Sequence, residues 1–299
     1  MTYRAPVIVL GMQRSGTTMV AEILNRAGLF VGWRQDPNQE AFFFQLLNVW
    51  LFQAAGGSRG RPSAIDDLLS DPALREISRE YLSYLVGSPK ALSYLGPTKY
   101  PRYRDLRRID FAWGWKDPST TFTLPIWLDI FPDARVVHVT RHGVDVAASV
   151  VRNRQSQLEE DSAQYRKLKW VFPIRPKRSG FVDITRASSI ESAFDIWEEY
   201  LVRGRQMTST LGSRALEIRF EDLATDPTRI VEQLAEFCCL PLSASRRDEL
   251  AGHFRPERAF AYMARPDLLA FASVRQARLH GYEAAPAPAA TALKDATGP

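Results

Sequence analysis

The sequence predicts an α/β fold: a central parallel sheet flanked by helices in three layers. Three observations carry that expectation. An apolar run, Val7 to Leu10, ends in a glycine-bearing loop, and a helical pattern follows at once. The same succession of turn, strand, short loop and helix returns in "FPDARVVHVTRHGVDVAASVV", residues 131–151. Two more strand-like stretches, within 111–119 and 216–223, are also followed by helix signals. Strands that alternate with helices are joined by crossovers, and crossovers cover both faces of a parallel sheet.

The elements follow in order. Residues 7–10 are apolar without alternation, as a strand buried on both faces requires. From Thr17 to Ala27, the side chains of Val20, Ile23, Leu24 and Ala27 fall on one helical face, and Gly28 stands where the helix should stop. Residues 39–55, "QEAFFFQLLNVWLFQAA", read as a very apolar helix, and 66–87 as another, with Leu68, Leu69, Ile77, Leu82 and Leu85. "FAWGWKDPS" (111–119) is a strand running into a turn, with a helix from about Thr121. After the strand in "LEIRFEDL" (216–223), Asp226-Pro227 opens a helix by cap and first-turn proline, and Pro241 ends it. Residues 152–190, with Arg166, Lys167, Lys169, Arg175, Lys177 and Arg178, read as a long basic loop or lid. The Ala- and Pro-rich stretch 283–299 reads as a disordered tail, which leaves 1–282 as one domain.

With 299 residues, the chain can bury a full α/β core. A net charge of +5 is a mild excess, not the concentrated stripe of a nucleic-acid binder. It suits an anionic small molecule or a merely solubilising surface. The only cysteines, Cys238 and Cys239, are neighbours in an apolar helical pattern. They make neither a zinc site nor a ready disulfide, and read as buried small hydrophobes in a reducing compartment. Tyr3 and Arg4 lead straight into a strand, where a leader would be apolar. No apolar run approaches the ~20 residues of a membrane span. The expectation is a soluble cytoplasmic protein with no nucleic-acid partner.

The loop "GMQRSGTT" carries the first chemistry. Its glycines let successive backbone N–H groups face one anion, and the helix N-terminus adds its dipole. Gly11 and Gly16 are spaced as in a Walker A loop, but Thr17 and Thr18 stand where lysine and a hydroxyl residue would follow. Without the lysine a triphosphate and its metal lose a main anchor. Arg14, inside the loop, still supplies a forked cation. The loop therefore suits a less charged terminal group that needs no metal, such as a phosphosulfate.

At these residues the sequence resembles the sulfotransferases that use 3′-phosphoadenosine 5′-phosphosulfate (PAPS). "GMQRSGTT" is similar to their 5′-phosphosulfate loop, usually Pro-Arg-Ser-Gly-Thr-Thr, with Gln13 in place of the proline. The resemblance implies a P-loop NTPase-like fold and a 5′-end site made by Arg14, Ser15, Gly16, Thr17 and Thr18. In "RHGVDVAAS", Arg141 ends a strand and Ser149 follows eight residues later, which is the family's spacing for the 3′-phosphate. An arginine at a strand's C-terminal end also lines the ligand crevice of an α/β sheet and can clamp a phosphate bidentately. Lys116-Asp117-Pro118 resembles a motif of tyrosylprotein and many bacterial sulfotransferases, whose lysine touches the oxygen between sulfur and phosphorus. "IRFEDL" and "LHGY" (279–282) look like further family signposts and read as packing elements; the resemblance spans roughly residues 5–282.

The implied reaction is in-line attack of an acceptor hydroxyl on sulfur, with 3′,5′-adenosine diphosphate leaving. Lys116, Arg14 and the loop N–H groups are placed to meet the charge that develops. No metal-ligand cluster is visible. A histidine base is closed off, because Pro118 stands where phenol sulfotransferases carry it. His138 reads as a core residue, His142 lies near the 3′-phosphate position, and His253 and His280 lack context. The resemblance instead implies a glutamate after the first helix. Glu40 fits, with bordering aromatic side chains expected to raise its pKa; Asp36 and Asp117 are rivals. Trp33, Phe42, Phe43, Phe44, Trp50 and Phe52 are either acceptor-facing or core, with core favoured. A glycan or small-molecule hydroxyl is the favoured acceptor; the basic run 99–108 reads as a solvated face. A kinase on the same fold, or a non-catalytic nucleotide-binding protein, are the alternatives.

Overall fold

The structure, a computed structural model, describes residues 4–177, 180–252 and 259–282. The expected tail 283–299 and His253 lie outside the described residues. Among the described residues, four parallel strands form the sheet: β1 (Val7–Leu10), β2 (Gly114–Lys116), β3 (Arg135–Thr140) and β4 (Ala215–Arg219), in the order β2-β1-β3-β4. The helices are α1 (Thr17–Arg26), α2 (Phe42–Ala54), α3 (Ile65–Ser70), α4 (Pro72–Val86), α5 (Leu92–Tyr103), α6 (Thr120–Ile130), α7 (Gly143–Leu168), α8 (Ile190–Ser209), α9 (Phe220–Thr225), α10 (Pro227–Phe237), α11 (Ala244–Ala251) and α12 (Pro266–Ser273).

The unbroken apolar strands are explained by the period of two. Ile8, Leu10 and Val136 enter one core with Phe43 and Phe44 of α2, Trp127 of α6 and Phe194 and Trp197 of α8. Val7, Val9, Val137 and Val139 enter a second core with Val20 and Leu24 of α1, Ile230 and Leu234 of α10 and Leu250 of α11. The three-layer α/β expectation is met.

The topology also places the site. β1 pairs with β2 on one side and β3 on the other, so the chain crosses back over β1 between them. Connections leaving β1 and β3 part at that point, and a crevice opens beyond the strands' C-terminal ends.

Three expectations need correction. The helix expected over 66–87 is two, α3 and α4, because Asp71 caps Ala73 and Leu74 N–H groups and Pro72 starts α4. The loop expected over 152–190 is helical through Leu168, as the second half of α7. Its charge suggested a loop, yet residues 144–168 contain neither Gly nor Pro to stop a helix. Cys238 is buried as expected but Cys239 is exposed, since its left-handed backbone (φ 52°) just past α10 turns it outward.

Candidate active site

The loop after β1 is shaped by its glycines. Gly11 has φ 128°, and a Cβ there would run into the carbonyl oxygen of Val139. Gly16 has φ 95°, and a Cβ would meet the Phe220 ring. Gly16 also occupies the N-cap of α1 and offers no side-chain cap, so the first N–H groups of α1 point outward with the positive end of the helix dipole. Arg14 sits in the loop with φ 71° and is exposed.

The second cation set faces this loop. Arg141 follows β3; its guanidinium donates to the Arg14 carbonyl and to Asp145 Oδ2, both at 3.3 Å, and lies 4.5 Å from the Phe220 ring centroid. Ser149 stands two turns along α7, where its Oγ accepts from Arg14 Nε at 3.0 Å. One cavity of about 440 Å³ is lined by Arg14, Gly16, Thr17, Thr18, Arg141 and Ser149. Glu40 and Lys116 line it too. Of the residues assigned from sequence to the 5′-end and 3′-phosphate sites, Ser15 is the exception: it is buried and not among the lining residues.

Glu40 and Lys116 meet because the segment ahead of α2 forms a short parallel bridge with the end of β2, pairing these two residues. Lys116 Nζ donates to Glu40 Oε1 at 3.0 Å, and Arg59 donates to Oε2 at 2.7 Å. Gln45 adds a donor to Oε2 at 3.0 Å. Burial pushes the Glu40 carboxyl up, but the charges and hydrogen bonds of Arg59 and Lys116 outweigh it and hold the carboxyl below its ordinary value. The expected rise from aromatic neighbours is therefore reversed. Phe43, Phe44 and Phe52 are core residues, with Phe44 stacked on Trp115 at 3.9 Å, while Trp33 is exposed.

The rival bases are engaged in structure. Asp36 Oδ1 accepts the backbone N–H groups of Asn38 and Glu40 and forms the turn. Asp117 is fully buried and accepts from Asn48, Arg59 and the Ser119 N–H. His142 is buried and stacked on Tyr262 at 4.1 Å, and its Nδ1 accepts from the Val144 N–H. Burial first, then the charges of Arg141 and Arg219, bring it down to about 4. His138 is a buried strand residue, as expected, and His280 pairs with Glu198. In the basic run, Lys99 lies over Phe30, while Arg102 and Arg107 pair with Asp110 and Asp105.

Sequence reasoning missed Arg59. It stands in "GGSRGRPS", between α2 and α3, with no motif around it. Besides Glu40 and Asp117, its guanidinium reaches Asp183 at 3.4 Å, and its carbonyl accepts from Tyr200. Asn153 and Gln157 were also missed; with Ser149 they fall at every fourth position of α7, a helical spacing that puts all three on the cavity wall. Among the described residues, no group of three or more His, Cys, Asp or Glu could hold a metal ion, and no helix is long and apolar enough to cross a membrane.

Solved sulfotransferase structures align with most of the chain. STF1 from Mycobacterium tuberculosis is 16% identical over 85% of this chain and 72% of its own, with a TM-score of 0.44. A sulfotransferase from Alicyclobacillus acidocaldarius is 17% identical over 93% and 95%, with a TM-score of 0.46. The sulfotransferase domain of the Synechococcus PCC 7002 olefin synthase is 18% identical over 97% and 90%, with a TM-score of 0.44. No curated protein matches the chain significantly. A family model described as "Sulfotransferase family" matches residues 6–244, a span that contains every cavity-lining residue named above. On that match, the chain belongs to the sulfotransferase family.

Proposed function

We propose that the protein transfers a sulfuryl group from PAPS to a hydroxyl of a glycan or small-molecule acceptor. The observation that carries this reading is one cavity whose wall carries the glycine loop with Arg14, the Arg141 and Ser149 pair, and a buried Lys–Glu pair. The loop N–H groups, the first turn of α1, Arg14, Thr17 and Thr18 hold the 5′-phosphosulfate, with Ser15 contributing through the backbone. Arg141 and Ser149 hold the 3′-phosphate. The acceptor oxygen attacks sulfur, the bond from sulfur to the phosphate oxygen breaks, and the electron pair leaves with 3′,5′-adenosine diphosphate. Lys116 donates to that oxygen as charge builds on it, and the acceptor proton passes to Glu40. Arg59 positions Glu40 and keeps it ionised.

In this reading residues 1–282 act as one domain in the cytoplasm, a setting supported by two free thiols at Cys238 and Cys239. The test is nucleotide binding by calorimetry, followed by PAPS consumption over a panel of acceptors. Binding of 3′,5′-adenosine diphosphate should persist in a metal chelator, and Mg²⁺-ATP should not compete. Mg²⁺-dependent ATP binding would instead favour a kinase, and nucleotide binding without turnover on any acceptor would favour a binding protein.

A further inference from the structure

Beyond the cavity, the chain makes an excursion from the second half of α7 to the start of α8. Its neck is tied by the Asp183 N–H, which donates to Gln157 Oε1 at 3.1 Å. Between these two cavity-lining residues the excursion is packed on itself. Tyr165 stacks on Phe172 at 5.8 Å and meets Phe181 edge-on at 5.7 Å, while Lys177 lies over the Phe181 ring at 5.2 Å. That small cluster leaves two large apolar side chains outside it. Trp170 is 71% exposed and Ile174 is 86% exposed. Single exposed apolar residues are ordinary, but these share their segment with an unbroken run of one charge. From Ser162 to Val182 the sequence holds Arg166, Lys167, Lys169, Arg175, Lys177 and Arg178 and no acidic residue. The acids return only at the neck, with Glu159, Glu160 and Asp161 on one side and Asp183 on the other.

We infer that this tip docks on an anionic lipid surface, with Trp170 and Ile174 entering the headgroup boundary and the surrounding lysines and arginines meeting lipid phosphates. An indole and an aliphatic chain at the end of a basic segment match the chemistry of such an interface. A nucleic acid or an acidic protein would use the charge but leave Ile174, the most exposed large hydrophobic residue of the tip, without a role. The docking surface stands on the tip's own residues, apart from the nucleotide reading. It would bring the cavity, whose wall shares α7, toward hydroxyls carried at a membrane surface.

The experiment is co-sedimentation of the full chain with two vesicle types: pure phosphatidylcholine, and equimolar phosphatidylcholine with phosphatidylglycerol. The wild type should sediment with the anionic vesicles, weakly with the neutral ones, and less as salt is raised. Lys167→Glu with Lys169→Glu should lower the partition by about thirtyfold or more, from ~1 kcal/mol for each basic residue near the surface. Trp170→Ala with Ile174→Ser should lower it by about a hundredfold or more, on the scale of burying two such side chains. Both double variants should keep wild-type binding of 3′,5′-adenosine diphosphate, which shows that they fold. Absence of wild-type binding to the anionic vesicles overturns the inference. So does binding unchanged by either double variant, or capture by poly-glutamate in preference to vesicles, which would assign the tip to an acidic protein.

Discussion

Lys116 and Glu40 form an ion pair at 3.0 Å, and both side chains are almost wholly buried beneath the cavity. Neither charge is there by default, since each removed from water alone would be costly. Arg59, at 2.7 Å from the other carboxylate oxygen, completes the arrangement.

The first prediction concerns the pair itself. In the proposed reaction Glu40→Gln should lower the rate by about 10²–10⁴-fold, the range for loss of a general base. Lys116→Ala should lower it by about 10²–10³-fold, as for loss of one preorganised donor. Single-turnover rates with saturating PAPS check both. An unchanged rate in either variant would move that role to another residue.

Arg59→Met should raise the Glu40 carboxyl, because the strongest of its opposing charges is gone. The acid limb of the kcat/KM profile should then move to higher pH than in the wild type. Stability should fall as well, by about 3–5 kcal/mol, since Glu40 and Asp117 lose a shared buried partner. Denaturant melts measure the second effect and the pH profile the first. A profile that stays in place would leave Arg59 with a structural role only.

At the proposed nucleotide end, Arg141→Ala should weaken binding of 3′,5′-adenosine diphosphate by about 1.5–3 kcal/mol, the range for hydrogen bonds to charged groups. Ser149→Ala should cost about 0.5–1.5 kcal/mol, the value for an ordinary hydrogen bond. Calorimetry in a chelator checks both, and adenosine 5′-monophosphate provides the control. Its weaker binding should be insensitive to either change, because it lacks the 3′-phosphate.

His142 should make the fold sensitive to mild acid. Its folded pKa is lowered to about 4, against 6.5 for an unstrained histidine. Between those values the unfolded chain takes up a proton that the folded chain refuses, so stability is lost as pH falls through that window. The loss is about 3 kcal/mol for this residue, from the linkage of pKa to stability. His142→Gln should flatten the pH dependence of the unfolding free energy between pH 6.5 and 4. An equally steep dependence in the variant would place the sensitivity in other groups.

The parts legible in the sequence were those whose geometry is local. Arg14 to Thr18 and Arg141 with Ser149 each follow a strand end, and strand ends of a parallel sheet meet at one crevice. Ile8 and Val9 announced a strand with two buried faces by lacking alternation. Arg59 was not legible, because its role arises only where the α2–α3 connection closes over Glu40, Asp117 and Asp183, residues distant in sequence. The direction of the Glu40 shift failed for the same reason: its aromatic neighbours are local, and neither of its two cations is. The second half of α7 was misread because its charge outweighed, in the reading, the absence of any helix breaker.

In the proposed reaction, the depressed Glu40 carboxyl would also govern how the acceptor reacts. A group kept ionised by two cations is a weak proton acceptor, too weak to turn an alcohol into an alkoxide beforehand. Its proton must therefore depart only as the new oxygen–sulfur bond nears completion. An oxygen that still holds its proton carries positive charge as that bond forms, so among acceptors that fit the cavity equally well the electron-rich hydroxyls would react faster than the acidic ones.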